Sequence, residues 1–222
     1  MPGKLEKFSD FKSFSNCFTL YFEEIKQGLP LRGKWHENYF RNNHPIVLEL
    51  GCGKGEYSVG LAKNNPGKNF IGVDIKGNRI WTGAKEALDC KLNNVAFVRT
   101  RIDFIEHCFE KGEVSEIWIT FPDPQPQKPR ERKRLTNMRF IERYRKFLKP
   151  GGYVHLKTDN TGFYEYTLDV IQENKLNLIF HTEDLYSNCP EGREELIQIK
   201  THYEKLFTAK GEKIKYVLFQ IN

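Results

Sequence analysis

The chain has 222 residues, of which 39% are hydrophobic and 29% are charged, as in a soluble globular domain of ordinary size. No apolar stretch is long enough to cross a bilayer and no secretory signal is recognisable, which argues against a membrane or secreted protein. The five cysteines are widely spaced and form no Cys-x-x-Cys pair, so we expect a cytoplasmic protein without disulfides or a bound metal.

The first 45 residues show no clear hydrophobic period and carry aromatic residues among charged ones. We expect residues 1–45 to form an N-terminal extension that is partly flexible and partly helical near Tyr39–Asn43. The pattern becomes regular after this point, so residues 46–222 are predicted to form the main domain.

Within the main domain, apolar strand-like segments alternate with segments of helical period. The predicted strands are 46–50, 70–73, 95–98, 117–121, 153–157, 176–181 and 213–219. The predicted helices are 56–64, 78–91, 136–147 and 161–174, with a helical segment at 104–109, a turn at 149–152 and loop plus helix at 183–200. This alternation predicts an α/β fold with a doubly wound, seven-stranded, mostly parallel sheet that closes in a C-terminal antiparallel hairpin.

A glycine-rich turn follows the first of these strands and precedes a helix. Gly51, Gly53 and Gly55 allow the backbone to turn sharply and a ligand to approach closely. Their spacing departs from the dinucleotide fingerprint, which would require glycine where the chain has Glu56. Glu49, just before the turn, would repel a pyrophosphate but would suit a cationic ligand such as S-adenosyl-L-methionine, with its sulfonium and amino groups.

Two further carboxylates follow the next two strands. Asp74 lies 19 residues after Gly55, where a carboxylate can accept both hydroxyls of a ribose. Asp103 could reach an adenine or could equally cap the helical segment that follows. The turn, Glu49 and Asp74 together predict a nucleoside-binding site rather than an ordinary tight turn.

Asp123 lies between two prolines at the end of the strand 117–121. The prolines fix φ on both sides of Asp123 and lack backbone N–H donors. An acid at the carboxyl end of a strand in an α/β protein lies where ligands usually bind. We therefore expect Asp123 to act in the chemistry, with capping of the following turn as the alternative.

A concentrated basic stretch follows Asp123. Residues 127–149 contain ten Lys and Arg residues against Glu131 and Glu142, a net charge of +8, whereas the whole chain carries +6. Such local charge is typical of a phosphate-binding surface, although a solvated helix face is the alternative. The candidate phosphate contacts are Arg130, Arg132, Lys133 and Arg134.

Several of these segments resemble a known family. Residues 47–55 resemble motif I of class I S-adenosylmethionine-dependent methyltransferases. Segments that resemble the tRNA (guanine-N7-)-methyltransferases are Phe121-Pro122-Asp123-Pro124, Lys133-Arg134-Leu135, Lys149-Pro150-Gly151-Gly152, Lys157-Thr158-Asp159 and Thr201-His202-Tyr203-Glu204. The resemblance covers about residues 40–220.

The resemblance implies a Rossmann-like fold and methyl transfer from S-adenosyl-L-methionine to N7 of a guanine in the tRNA variable loop. We expect a monomer or a homodimer. The resemblance implies cofactor contacts at Glu49, Asp74, Asp103 and Asp123, and substrate contacts at Asp159, Thr201 and Glu204. It also implies contacts with the RNA backbone along residues 129–134. The chain departs from the family at two positions. Gln125 replaces the usual tryptophan, and Gln127 replaces a substrate-binding lysine, whose place we expect Lys128 to take.

N7 of guanine has a lone pair and no proton, so its methylation needs positioning rather than a general base. We expect Asp123 to accept hydrogen bonds from guanine N1–H and the 2-amino group, or to offset the charge formed on the base. One alternative is methylation of an exocyclic amine, because residues 121–124 loosely resemble an Asp/Asn-Pro-Pro-aromatic motif. Another is a non-catalytic RNA-binding protein of the same fold, while Glu49 and Glu56 disfavour a nicotinamide dehydrogenase.

Overall fold

The computed structural model describes residues 3–221. The strands are β1 Cys17–Thr19, β2 Ile46–Leu50, β3 Asn69–Asp74, β4 Val95–Arg99, β5 Val114–Thr120, β6 Leu148–Thr158, β7 Asn177–Thr182 and β8 Lys215–Gln220. The α-helices are α1 Lys4–Ser13, α2 Glu56–Asn64, α3 Gly77–Asp89, α4 Met138–Tyr144, α5 Thr161–Glu173, α6 Glu195–Gln198 and α7 His202–Ala209. Phe22–Glu24, Ile102–His107 and Lys128–Lys133 form 3₁₀ helices, and Trp35–Phe40 forms a π-helix.

All eight strands form one sheet, in the order β1-β4-β3-β2-β5-β6-β8-β7. The pairs from β1 to β6 are parallel, and β8 pairs antiparallel with both β6 and β7. The predicted α/β class and antiparallel C-terminal strands are confirmed. The predicted count of seven strands is wrong, because β1 in the N-terminal segment adds an eighth strand beside β4.

Side chains of β2 alternate between two hydrophobic cores, one on each face of the sheet. Ile46, Leu48 and Leu50 belong to the core that α4 and α5 cover, together with Trp35 of the N-terminal segment. Val47 points to the opposite core, which α1, α2 and α3 cover. The sheet is therefore sandwiched between helices on both faces, as a doubly wound sheet requires.

The N-terminal segment is attached to the main domain at both of these cores. Trp35 is fully buried, and its Nε1 donates a hydrogen bond to the carbonyl oxygen of Cys108 at 3.0 Å. On the other face, Nε1 of Trp81 in α3 donates to Asp10 of α1 at 3.1 Å. The division of the chain after residue 45 stays a prediction.

The strand β6 is longer than the sequence indicates. It begins at Leu148 and includes the segment 149–152, which we expected to be a turn outside the strand. Leu148 pairs with Val114, and the register then shifts between Val114 and Glu116. This irregularity accommodates the Pro-Gly-Gly sequence without ending the strand.

The carboxyl ends of the parallel strands lie along one edge of the sheet. Leu50, the last residue of β2, pairs with Val73 on one side and with Ile119 on the other. The chain order reverses between β2 and β5, which makes this the crevice where open α/β sheets bind ligands. The glycine turn, Asp74 and the loop that carries Asp123 therefore converge there. Within residues 3–221, none of the helices has the length and apolar character needed to cross a membrane.

Candidate functional site

The three glycines of the turn after β2 have left-handed φ angles of 77°, 56° and 75°. A side chain at Gly51 or Gly53 would meet no heavy atom within 4 Å, so the space beside them is open to a ligand. Gly55 differs, because a Cβ there would lie 2.7 Å from the ring of Phe97 and 3.2 Å from Gly83 of α3. The structure thus gives Gly55 a packing role, and its predicted contact with the cofactor stays a prediction.

A cavity of about 430 Å³ opens beside this turn. Three predicted cofactor residues line it, namely Gly51, Asp74 and Asp103. Four of the other lining residues are apolar, namely Ile75, Ile102, Leu135 and Phe140, and four are polar or basic, namely Thr100, Arg101, Lys133 and Arg139. Apolar surface combined with carboxylates suits the flat base and the hydroxyls of a nucleoside.

Asp74 is fixed by backbone amides on both sides. Its Oδ2 accepts a hydrogen bond from the N–H of Gly53 at 3.0 Å, and its Oδ1 accepts from the N–H of Lys76 at 2.8 Å. An ionised carboxylate can accept about four hydrogen bonds. Asp74 therefore retains the capacity to accept from two ribose hydroxyls.

Asp103 lies on the cavity wall in contact with α4. Its Oδ1 accepts a hydrogen bond from Arg139 at 2.6 Å, and Arg101 lies 3.5 Å from its Oδ2. Arg101 occupies the N-cap position of the following 3₁₀ helix without a side-chain cap bond. The carboxylate of Asp103 is thus oriented by cations rather than used as a helix cap.

Glu49 lies beneath the glycine turn and is only 3% exposed. Its carboxylate accepts hydrogen bonds from the backbone N–H of Ser58 at 2.9 Å, from the hydroxyl of Ser58, and from Thr120 at 2.6 Å. Burial raises the pKa of Glu49 to about 7 even though these hydrogen bonds oppose the shift. A positively charged ligand nearby would stabilise the ionised form of this carboxyl.

Asp123 is exposed in the loop that follows β5. Phe121 and Gln125, on either side of it, have left-handed φ angles of 46° and 44°, which cost non-glycine residues about 1–3 kcal/mol each. The N–H of Gln125 donates to Oδ1 of Asp123 at 3.1 Å, so the turn-capping role is present. Within the described chain, Oδ2 of Asp123 has no hydrogen-bond partner and is left for a ligand.

The exposed cations after Asp123 lie mainly on the 3₁₀ helix Lys128–Lys133, which we call the basic helix. Lys128, Arg130, Arg132 and Lys133 are exposed, whereas Arg134 is buried. Further along the basic stretch, acids from the segment after β4 partly neutralise the charge. The ion pairs are Arg139–Asp103 at 2.6 Å, Arg143–Glu106 at 3.1 Å and Lys146–Glu106 at 2.7 Å.

The C-terminal segment folds back over this edge of the sheet. Thr201 is the N-cap of α7, and its hydroxyl accepts from the N–H of Glu204 at 3.1 Å. The side chain of Glu204 is fully buried, where its Oε1 lies 2.8 Å from Nζ of Lys157 and accepts from Tyr186 at 2.9 Å. Its Oε2 has no hydrogen-bond partner among the described residues. Both predicted substrate residues thus have internal partners.

Asp159 follows β6 at the same edge and is half-buried. The N-cap of α5 is Asn160, whose side chain accepts from the N–H of Phe163 at 2.8 Å. The carboxyl of Asp159 is therefore not used as the helix cap. Burial raises its pKa, and Lys215 donates to its carbonyl oxygen at 3.0 Å.

The sequence is closely similar to a group of bacterial enzymes. It is 51% identical over 220 residues to the tRNA (guanine-N(7)-)-methyltransferase of Bacteroides thetaiotaomicron, which covers 99% of this chain and 86% of that protein. It is 48% identical to the tRNA (guanine-N(7)-)-methyltransferase of Christiangramia forsetii, with 99% of this chain and 98% of that protein covered. A family model described as a methyltransferase matches residues 43–217. The chain belongs to the tRNA (guanine-N(7)-)-methyltransferase family.

Solved structures of other methyltransferases share the fold of this family member. The 16S rRNA methyltransferase KamB superposes with a TM-score of 0.59 at 16% identity, over 91% of this chain and 94% of KamB. A geranyl diphosphate C-methyltransferase from Streptomyces coelicolor, solved with S-adenosyl-L-homocysteine, gives a TM-score of 0.51 at 18% identity, over 85% of this chain and 74% of that one. The predicted Rossmann-like methyltransferase fold is confirmed.

The candidate site also contains residues that were not predicted to belong to it. Lys157 at the end of β6 is fully buried and forms the ion pair with Glu204. Phe121 stacks on Phe207 of α7 with ring centroids 6.2 Å apart, and Phe207 stacks on Tyr203 at 6.4 Å. A lysine within an apolar strand was the available signal for the ion pair. The contact between Phe121 and Phe207 joins segments about 85 residues apart, so local patterns carry no sign of it.

Proposed function

We propose that this chain transfers a methyl group from S-adenosyl-L-methionine to N7 of a guanine in the variable loop of tRNA. Membership of the tRNA (guanine-N(7)-)-methyltransferase family supports the reaction. The observation that carries the proposal is the convergence, at one edge of the sheet, of a nucleoside-sized cavity, exposed Asp123 and the basic helix. We also propose that the protein is cytoplasmic, that it is a monomer or a homodimer, and that it needs no metal.

The residues beside the cavity fit S-adenosyl-L-methionine, which when bound supplies an electrophilic methyl group on a positively charged sulfur. Asp74 would accept from the ribose hydroxyls, and Asp103 from the adenine amino group. Gly51 and Gly53 leave space for close approach to the backbone. Glu49 would supply negative charge beneath the glycine turn. Its pKa is raised by burial, and a cationic ligand would stabilise its ionised form.

Asp123 would orient the guanine. One of its oxygens is held by the N–H of Gln125, which fixes the plane of the carboxylate, and the other remains for the base. Accepting from guanine N1–H and the 2-amino group would direct N7 toward the methyl group, and the negative charge would offset the charge that develops on the alkylated base. No residue has to remove a proton from N7.

The RNA would approach along the basic helix. The exposed side chains of Arg130, Arg132 and Lys133 would bind phosphates, and Lys128 would take the place of the lysine expected at residue 127. Asp159 would contact the target nucleotide on the side opposite to Asp123. Thr201 and Glu204 would shape the substrate site through α7, since both side chains have partners within the protein.

The test is methylation of unmodified tRNA with labelled S-adenosyl-L-methionine, followed by borohydride/aniline cleavage to locate 7-methylguanosine. We expect the label in the variable loop. Asp123→Asn should lower the methylation rate by roughly 10²–10³-fold while cofactor affinity stays within a few-fold of wild type.

The matched control is Asp169→Asn, which removes an exposed carboxylate on α5 and should leave the rate unchanged. Methylation at an exocyclic amine would contradict the proposed product. Near-normal turnover of the Asp123→Asn variant would contradict the role of Asp123.

A further inference from the structure

Arg134 differs from the cations that precede it. The basic residues of Lys128–Lys133 are exposed, whereas Arg134 is 7% exposed. Its Nε donates a bifurcated hydrogen bond to the carbonyl oxygens of Pro124 at 3.1 Å and Gln125 at 3.3 Å. Its guanidinium is therefore directed into the loop that carries Asp123 and away from solvent.

A second set of contacts fixes the guanidinium from its other side. Its central carbon lies 4.3 Å from the ring centroid of Tyr166 in α5, and Oε1 of Glu131 lies 3.7 Å from its Nη1. The Tyr166 hydroxyl accepts from Asn137 at 2.6 Å, and Asn137 is the N-cap of α4. Arg134 thus connects the loop after β5 to two helices, through a planar, stacked group that lysine cannot imitate.

The loop after β5 has few means of holding its own conformation. Pro122, Pro124 and Pro126 provide no backbone donors, and among the described residues no backbone–backbone hydrogen bond forms within the segment 122–126. Gln125 adopts a left-handed φ of 44°, which a non-glycine residue keeps only where its surroundings impose it. The N–H of the same residue orients the Asp123 carboxylate at 3.1 Å. The orientation of Asp123 therefore depends on a conformation that Arg134 stabilises from outside the loop.

We propose that Arg134 is a positioning residue for Asp123 and does not bind an RNA phosphate. It holds the carbonyls of Pro124 and Gln125 so that the carboxylate is presented in one orientation. The sequence predicted that Arg134 contacts RNA. Because Arg134 is buried, we assign it the role of stabilising the loop instead. The catalytic consequence rests on the proposed function, whereas the effect on the loop does not.

The test compares Arg134→Gln with Arg132→Gln, since both variants remove one positive charge from neighbouring positions. Arg134→Gln should speed amide exchange at Gln125 in the free protein. It should also slow single-turnover methylation at saturating tRNA and S-adenosyl-L-methionine by roughly 10–100-fold, because a small misplacement of a reacting group has effects of this size. The affinity for tRNA and its salt dependence should stay as in wild type.

Arg132→Gln should show the opposite behaviour. Loss of one phosphate contact should reduce the slope of log K against log salt by about 0.7–0.9, with no change in exchange at Gln125. A second pair of variants covers the case in which Arg134→Gln does not fold. Tyr166→Leu, which removes the stacked ring, should reproduce the slow single turnover, whereas Tyr166→Phe keeps the ring and should retain most of the rate.

The proposal is overturned if Arg134→Gln reduces the salt slope as Arg132→Gln does, or if it leaves exchange at Gln125 unchanged. It is also overturned if Tyr166→Leu methylates at the wild-type rate. Failure of the wild-type protein to methylate tRNA would contradict the proposed function alone, because exchange at Gln125 is measured without RNA or cofactor.

Discussion

Replacement of Glu49 by glutamine should stabilise the unliganded protein at alkaline pH. Burial raises the pKa of Glu49 from 4.5 to about 7, so the folded protein binds this proton more tightly than the unfolded chain does. The resulting stability is fully present below pH 4.5 and is lost as the pH rises through 7. Glutamine is isosteric, can accept from Ser58 and can donate to Thr120, and it carries no charge at any pH.

The size of the effect follows from the shift. At about 1.4 kcal/mol per pKa unit, wild type should lose about 2–3 kcal/mol of unfolding free energy relative to Glu49→Gln between pH 5 and pH 8. For a chain of this size that corresponds to roughly 5–10 °C in Tm. Thermal unfolding of both proteins across this range measures it, with Glu173→Gln, at an exposed position on α5, as the control. A difference in Tm that does not change with pH would refute the reasoning.

The same carboxyl should make cofactor binding depend on pH in the opposite sense. A cationic ligand favours ionised Glu49, so the affinity for S-adenosyl-L-methionine should increase between pH 6 and pH 8 in wild type. Glu49→Gln should bind more weakly and lack this increase. Isothermal titration calorimetry at several pH values compares the two proteins.

Four further substitutions test separate parts of the site by urea unfolding and RNA binding. Glu204→Gln should cost about 3–5 kcal/mol of unfolding free energy, because it leaves Lys157 buried without a counter-charge. Gly55→Ala should cost roughly 2–4 kcal/mol, from the left-handed φ of 75° and the crowded space at its Cα. Asp159→Asn should leave stability within about 0.5 kcal/mol but weaken tRNA binding, whereas Asn160→Ala should cost about 1 kcal/mol as a lost N-cap.

Each of these has an outcome that would count against it. Lys205→Gln, an exposed neutralisation on α7, is the control for Glu204→Gln, and equal losses in the two would contradict the buried ion pair. If the Gly55→Ala protein is stable but binds the cofactor weakly, Gly55 contacts the ligand and does not act mainly in packing. If Asp159→Asn binds RNA with unchanged affinity, Asp159 is not a substrate contact.

Local patterns were sufficient for the centre of the fold. The strand Ile46–Leu50 and the helix Glu56–Asn64 were predicted with the bounds that the structure has. An apolar strand, a glycine turn and a helical period follow one another there, and each signal lies within a few residues. The position of Asp123 beside the turn also follows from topology, because β2 and β5 are neighbours.

Elements that depend on distant partners were not predicted. The strand Cys17–Thr19 is three half-buried residues long, too short for an alternating pattern, and it exists because β4 offers a free edge. The helix His202–Ala209 had a local signal, since Thr201 and Glu204 have the spacing of a capping box. Both residues were interpreted through the family resemblance as substrate contacts, and the helix was missed.

Local sequence patterns also could not predict which cations of the basic stretch are buried. Arg130 and Arg134 are the same residue type four positions apart, yet the first is exposed and the second buried. What separates them is the ring of Tyr166, 32 residues further along the chain, and the carbonyls of the preceding loop. Charge counting treats both arginines alike, so it overstates the surface available to RNA.

The position of β8 has a consequence for how the protein is made. Although β8 comes last in the chain, it lies between β6 and β7 and pairs with both. During synthesis the edges of β6 and β7 therefore stay unpaired until residues 215–220 have left the ribosome, and unpaired edges invite aggregation. A methyltransferase nascent chain that stalls shortly before β8 should depend on chaperones, although all of the candidate site residues have already been made.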